Sequence, residues 1–196
     1  FASQGKDVLL LIDSLTRVAT ALRDIGLAQG EPPITRGFTP SMYNYFPLIL
    51  EQAGNFENGS VTLITTVLIE DEDEDNPVAL TARSILDGHI YLSPKLASKS
   101  HYPAIDIFKS RSRLMTSVAS KDHLEAFRKS MEILSLRNEY EDIVQMGLYR
   151  HGTNPRLDLA MDLGGKYDSF LKQSMFEINE FQQTTNQMVN ISNAIR

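Results

Sequence analysis

Cysteine is absent from this 196-residue chain, so no disulfide framework and no thiolate metal site can form. That suits a reducing compartment. No apolar run approaches the ~20 residues a membrane-spanning helix needs, and no basic-then-apolar signal segment opens the sequence. A basic excess is also missing: the formal net charge is −6, which argues against broad, sequence-independent binding to nucleic acid or anionic lipid. The histidines His89, His101, His123 and His151 show no i, i+4 pairing. No zinc site is read from them, and none stands out as a general base. Ser14, Ser110 and Ser112 lack the G-x-S-x-G turn of a hydrolase nucleophile. The phosphate-cradling loop G-x-x-x-x-G-K-[ST] is absent too. Gly5-Lys6 is followed by Asp7, and Gly165-Lys166 by Tyr167, and neither pair has the leading glycine.

What remains is ordinary globular material, 42% hydrophobic and 22% charged, long enough for a full core in one or two domains. The chain begins at Phe1 and reaches a strand by Asp7, which reads as a fragment cut from a larger protein. That strand, Val8-Leu9-Leu10-Leu11-Ile12, is an unbroken apolar run ending on Asp13, the pattern of a strand buried on both faces of a parallel sheet. Such sheets present ligand sites at the carboxyl ends of their strands. Asp13 there has the shape of a Walker B carboxylate, which helps hold the magnesium of a bound nucleotide. The structural alternative is an Asp that caps the next helix.

Further along, Leu15, Val18, Ala19, Leu22 and Ile25 recur at helical spacing, fading at Gly26 before the break Gly30-Glu31-Pro32-Pro33. Thr39-Pro40 opens a second helix running toward Gly54, with Pro47 as a kink point. Residues Ser60 to Ile69 read as one long β-branched strand. It empties into six consecutive acids, Glu70 to Asp75. Asn76-Pro77 starts a helix that stops at Gly88, His89 to Leu92 form a short strand, and Ser93-Pro94 starts another helical turn. Strand, helix, strand, helix is the signature of an α/β layered sheet.

From about Ser120 the pattern is helical. Leu124, Phe127, Met131 and Leu134 form one apolar stripe, and Asn154-Pro155 opens a helix that the Gly164-Gly165 pair should end. Tyr167, Phe170, Leu171, Met175, Ile178 and Phe181 fall on one face of a last helix, and the polar tail from Gln182 is expected to fray. Residues 1–116 are therefore assigned to an α/β domain and residues 117–196 to a small all-helical domain.

Three further features carry a possible chemistry, each with a structural alternative. The acidic run could bind cations or dock a basic partner, or be a solvated loop at a strand end; EF-hand spacing is not met. Arg113, in Ser110-Arg111-Ser112-Arg113-Leu114-Met115, could reach across a subunit boundary to a γ-phosphate, or be an ordinary surface arginine. Tyr102 could offer a flat face to an adenine ring, or be a half-buried loop aromatic.

The order of these pieces is informative. Asp7–Arg17 (DVLLLIDSLTR), Arg23-Asp24-Ile25-Gly26-Leu27-Ala28, Gly30-Glu31-Pro32-Pro33, Ala53-Gly54-Asn55, Gly59-Ser60, Arg83–His89 (RSILDGH), His101–Asp106 (HYPAID) and Ser110–Met115 follow one another. Together they resemble the ATPases of type III secretion systems and flagellar protein export, relatives of the catalytic subunits of rotary ATP synthases. Gly152-Thr153-Asn154-Pro155-Arg156-Leu157-Asp158 and Phe170-Leu171-Lys172-Gln173 extend the resemblance through the helical part. The chain departs from the family pattern at Asn76, where an Asp usually precedes the proline, and in the more acidic loop before it.

The resemblance implies a P-loop NTPase (RecA-like) core, a mostly parallel sheet with flanking helices, followed by the all-helical domain. It implies a homo-hexameric cytoplasmic ATPase, peripheral at the inner-membrane export gate, that uses ATP and Mg²⁺ to strip chaperones from export substrates and unfold them. By position, Asp13 would be the magnesium-side carboxylate, Arg113 the arginine finger and Tyr102 the adenine contact. The helical domain would face substrates, chaperones, the central stalk and regulatory stator proteins, with no nucleic-acid partner. The family's phosphate loop and catalytic Glu fall outside this sequence, so the chain alone should hydrolyse no ATP. Two other readings are a non-catalytic nucleotide-binding regulatory subunit of a rotary ATPase and a chaperone-binding module.

Overall fold

The computed structural model describes residues 1–69 and 75–195; residues 70–74, which hold most of the acidic run, and residue 196 lie outside the described residues. The described chain divides into two compact units, Phe1–Asp87 and Gly88–Arg196. The architecture is α/β with flanking helices, and it is helical from Met115 onward among the described residues.

In the first unit, β1 (Asp7–Ile12) leads to α1 (Leu15–Ala28) and α2 (Pro40–Leu50), then to β2 (Gly54–Asn55), β3 (Ser60–Thr65) and α3 (Pro77–Ile85). The sheet order is β1-β3-β2. β1 and β3 pair in parallel from Asp7↔Ser60 to Ile12↔Thr65, with α1 and α2 in the long crossover that a parallel pair requires. β2 adds an antiparallel edge.

The three helices cover one face of this sheet. Leu15, Ala19, Met42, Phe46, Leu50, Val78 and Ala82 are buried together, with Ile12 and Leu63 packed against them from the strands. Complete burial of side chains the size of Met42 or Phe46 contributes about 1.5–3 kcal/mol each. The opposite face is open. Leu9, Leu11 and Ile64 are 59%, 65% and 55% exposed, so β1 is not buried on both faces. The apolar run is continuous, but helices cover only the face of Ile12 and Leu63 among the described residues.

β3 is also shorter than its β-branched run. Its ladder stops at Thr65 because β1 stops at Ile12 and turns into a helix, leaving nothing to pair with. Asn76 caps α3 as its Asn-Pro signature predicts, with Oδ1 accepting from the N–H groups of Val78 and Ala79.

In the second unit, β4 (Gly88–His89) pairs antiparallel with β5 (Arg111–Ser112), with α4 (Pro94–Ser98) between them. A Cβ at Gly88 would stand 2.8 Å from the Arg111 carbonyl oxygen, so the pairing needs a glycine there. Then come α5 (Met115–Val118), α6 (Lys121–Glu139), α7 (Glu141–Gln145), α8 (Pro155–Phe170) and α9 (Phe181–Ser192).

The helical core departs from the sequence expectation in four places. α6 buries Ala126, Ser130, Ile133 and Leu134, whereas Phe127 is 39% exposed. The small side chains face inward because the Tyr167 ring of α8 fills the space, its hydroxyl donating to Ser130 Oγ at 2.8 Å. α8 runs straight through Gly164 and Gly165. Arg137 of α6 explains this: its Nη1 donates to the Gly164 carbonyl, and its two Nη groups each reach an Asp168 oxygen at 2.8 Å. A Cβ on Gly164 would lie 3.0 Å from the guanidinium carbon. Third, Tyr167 to Phe181 do not form one amphipathic helix, since α8 ends at Phe170 and α9 begins at Phe181. Finally, the polar tail is helical rather than frayed; α9 packs on α6, and Ser192 and Ile195 are buried.

α8 is fixed at its start by a buried carboxylate. Asp158, 8% exposed, accepts from Tyr149 Oη at 2.7 Å and from the Gly152 N–H at 2.9 Å. The Tyr149 hydrogen bond holds its carboxyl below the usual range.

Two measurements test this packing. Tyr167→Phe should destabilise the chain by about 1–2 kcal/mol in urea unfolding, because it strands a buried Ser130 hydroxyl. The double variant with Ser130→Ala should recover a large part of that loss. Asp168, held below its ordinary value of 3.8 by the Arg137 hydrogen bond, stabilises the fold above that value and loses the contribution as pH falls through its folded pKa. Because both partners are partly solvated, Arg137→Met should cost about 1 kcal/mol or less at neutral pH, and the difference from the parent should shrink in acid titrations.

Candidate functional site

The first group of candidate residues forms where β1 ends. Asp13 is exposed at the carboxyl end of the strand, and Ser14, not Asp13, occupies the N-cap of α1 without a side-chain capping bond. The helix-capping alternative for Asp13 is therefore not what its carboxylate does. Instead Thr66 Oγ1 donates to Asp13 Oδ1 at 2.6 Å, in the short range of a hydroxyl bound to a carboxylate. Oδ2 has no hydrogen-bond partner among the described residues, and the residue as a whole is exposed. Ser14, beside it in sequence, is 2% exposed, and its buried Oγ has no hydrogen-bond partner among the described residues. The peptide bond joining Asp13 and Ser14 is cis.

The donor set here is oxygen only: a carboxylate and hydroxyls. No cluster of three or more His, Asp or Glu residues suited to a metal ion occurs among the described residues. A magnesium ion does not require one, since it is commonly held by one or two carboxylates together with substrate phosphates and its own waters. A lone, oriented carboxylate at a strand end fits that chemistry. A zinc-type cage does not.

The second group lies within the second unit. Tyr102, 56% exposed, precedes a cis proline in a segment tied down by backbone bonds: Ser93 N–H to the Ala104 carbonyl at 2.8 Å and Asp106 N–H to the Tyr91 carbonyl at 2.8 Å. Gln173 N–H donates to the Tyr102 carbonyl at 2.8 Å. This draws the segment after α8 against the tyrosine. A cavity of ≈ 930 Å³ opens there, lined by Tyr102, Pro103, Lys172, Gln173, Met175 and Glu177 among others. Its size suits a nucleotide-scale ligand.

Glu177 organises the far wall. Its carboxylate accepts from Asn179 Nδ2 at 2.9 Å and from the Ser174 N–H at 3.1 Å, and the Asn179 bond holds its carboxyl below the usual range. Sequence reasoning missed this wall. It placed Met175 and Ile178 on the apolar face of a helix, yet both are 92% exposed. The signal was available in Gln173-Ser174 and Glu177-Ile178-Asn179, polar residues placed to bond their own loop.

Arg113 is exposed and directly follows β5. The loop before it is braced: Asp106 Oδ1 accepts from the Phe108 and Lys109 N–H groups, and Ser110 Oγ donates to the Asp106 carbonyl at 2.6 Å. Tyr91 N–H in turn donates to Ser110 Oγ. The structure thus brings Asp13 together with Thr66 and Ser14, and sets Tyr102 and Arg113 on one braced segment of the second unit.

Comparison with known proteins gives a consistent result. The family model for the nucleotide-binding domain of the ATP synthase alpha/beta family matches residues 1–112. The model for the type III secretion EscN ATPase C-terminal domain matches residues 119–190. The flagellum-specific ATP synthase of Treponema pallidum is 47% identical over 94% of this chain, which spans 41% of that relative. The type 3 secretion system ATPase of Sinorhizobium fredii is 45% identical over 96% of the chain, which spans 42% of it. The chain thus covers about two-fifths of the length of these relatives. Among solved structures, the assembled ATPase EscN of the enteropathogenic E. coli type III secretion system matches 98% of this chain with a TM-score of 0.95 at 40% identity; the match spans 47% of that structure. The same ATPase in complex with its central stalk EscO matches 94% of the chain with a TM-score of 0.85 at 38% identity, spanning 44% of that structure. The chain belongs to the ATP synthase alpha/beta family, in its type III secretion and flagellar export branch.

Proposed function

We propose that the chain is the C-terminal part of a homo-hexameric ATPase that couples ATP hydrolysis to chaperone release, unfolding and export of proteins through a type III secretion or flagellar export apparatus. The observation that carries this reading is Asp13, held by Thr66 at the carboxyl end of a parallel strand in a chain that follows the export ATPases along nearly its whole length. Residues 1–116 serve as the nucleotide-binding part and residues 117–196 as the helical domain. The matched segments 1–112 and 119–190 support that division.

In this reading Asp13 is the carboxylate that would hold Mg²⁺ beside the nucleotide's phosphates. The bound ion supplies neutralisation of the charge that develops on the β- and γ-phosphates. Tyr102 lays its ring against adenine in the cavity beside Gln173 and Met175. Arg113 is offered to a neighbouring subunit's nucleotide, where a planar guanidinium meets charge on the transferring phosphoryl group. Phosphoryl transfer needs positioning and charge neutralisation from all these groups at once, so the site is completed by a neighbouring protomer and by a phosphate loop this sequence does not contain. The helical domain meets export substrates, chaperones, the central stalk and stator proteins. The assembly works in the cytoplasm, peripheral to the membrane export gate. No helix among the described residues is long and apolar enough to cross a membrane.

Two substitutions in the full-length protein test the roles. Arg113→Ala should leave nucleotide affinity within about threefold and cut turnover by ~10³ or more, measured by steady-state hydrolysis beside binding of a fluorescent ATP analogue. Equal losses in both quantities would remove the finger role. Tyr102→Ala should weaken ATP binding roughly tenfold, the equivalent of about 1.4 kcal/mol of ring contact, while Tyr102→Phe keeps parental affinity.

A further inference from the structure

We infer that Thr66 is a positioning residue for the metal site. It fixes the Asp13 carboxylate so that a single oxygen faces the ion. This rests on the reading of Asp13 as the magnesium-side carboxylate and goes beyond it, because no feature of the β-branched run marks Thr66 from sequence.

The parallel ladder ends at Ile12↔Thr65, yet Thr66 continues to bond to both sides of the strand-to-helix turn. Its N–H donates to the Ile12 carbonyl at 3.1 Å, and its carbonyl accepts from the Leu15 N–H at 2.9 Å. Thr66 therefore spans Asp13 and Ser14 and is held from both ends. Its neighbours reinforce the clasp: Thr65 Oγ1 donates to the Ile12 carbonyl at 3.0 Å, and the Leu68 N–H donates to Thr16 Oγ1 at 2.9 Å. With the backbone fixed, a β-branched side chain has few χ1 choices.

The hydroxyl falls 2.6 Å from Asp13 Oδ1. An exposed aspartate without such a partner samples several rotamers and must lose that freedom when an ion docks. Here one oxygen is already committed, which sets the plane of the carboxylate and the direction of Oδ2. Partners that orient a metal's ligands in this way commonly govern 10- to 100-fold in metal affinity. Ser14 cannot share the task, since its hydroxyl makes no hydrogen bond among the described residues.

The test uses the full-length protein with a non-hydrolysable ATP analogue, and follows Mn²⁺ binding by the loss of the free-ion paramagnetic resonance signal. Thr66→Val should weaken Mn²⁺ binding about tenfold or more, with metal-free nucleotide affinity within about twofold of the parent. Thr66→Ser, which keeps the hydroxyl, should stay within about threefold. Thr66→Ala provides a second hydroxyl-free variant if the valine disturbs folding, which a melting curve reports. Parental Mn²⁺ affinity in the hydroxyl-free variant, or a serine variant as weak as it, overturns the proposal. Asp13→Asn separates the two levels. If it binds Mn²⁺ normally, the reading of Asp13 itself fails and Thr66 falls with it. If it loses Mn²⁺ while Thr66→Val does not, only the positioning role is lost.

Discussion

The parallel pairing of β1 with β3 is the constraint on which the first unit depends. It joins segments 53 residues apart in sequence and requires a long crossover, which α1 and α2 supply. Because the two strands end together, the turn out of β1 and the residue just beyond β3 meet at one point. Asp13 and Thr66 are neighbours for that reason and no other. The same pairing sorts the side chains by alternation: Ile12 and Leu63 face the helices, whereas Leu9, Leu11 and Ile64 face away.

The second unit is organised differently, by polar groups set among helices. Tyr167 brings a large ring into the core and needs one partner for its hydroxyl, which Ser130 provides. Arg137 ties α6 to α8 through Asp168 and the Gly164 carbonyl, a bidentate geometry that lysine could not reproduce. Asp158 closes the entry to α8 by accepting from Tyr149 and Gly152. Leaving the buried groups among these, Ser130 and Asp158, unpaired costs more than the bond itself contributes. The helical part is therefore specified as much by these pairings as by its apolar residues.

The proposed chemistry follows from where charge must be placed. A carboxylate with one committed oxygen suits an ion that keeps its waters. An aromatic at the mouth of a nucleotide-sized cavity suits a flat base. An arginine on a braced loop suits a phosphoryl group held by another protomer. Each arrangement is incomplete alone, and in the proposed hexamer a neighbouring subunit would complete it.

Much of this was legible in the sequence, and the legible part has a common cause. Local chemistry determines helix starts, so Asn76-Pro77, Ser93-Pro94 and Asn154-Pro155 appear as caps, each with its side-chain oxygen accepting a backbone N–H. The apolar run to Asp13 determines a strand with an acid at its tip, and the order of the motifs determines the family. Tertiary structure decided the rest, because the deciding contacts are distant in sequence. The glycine pair did not end α8, since Arg137 occupies the space that Gly164 leaves. The buried stripe of α6 runs through Ala126 and Ser130 because a tyrosine 37 residues away from Ser130 needs both room and a hydroxyl. Sequence placed a carboxylate at the end of β1. Only the parallel register set a threonine against it, and with it the direction in which that charge points.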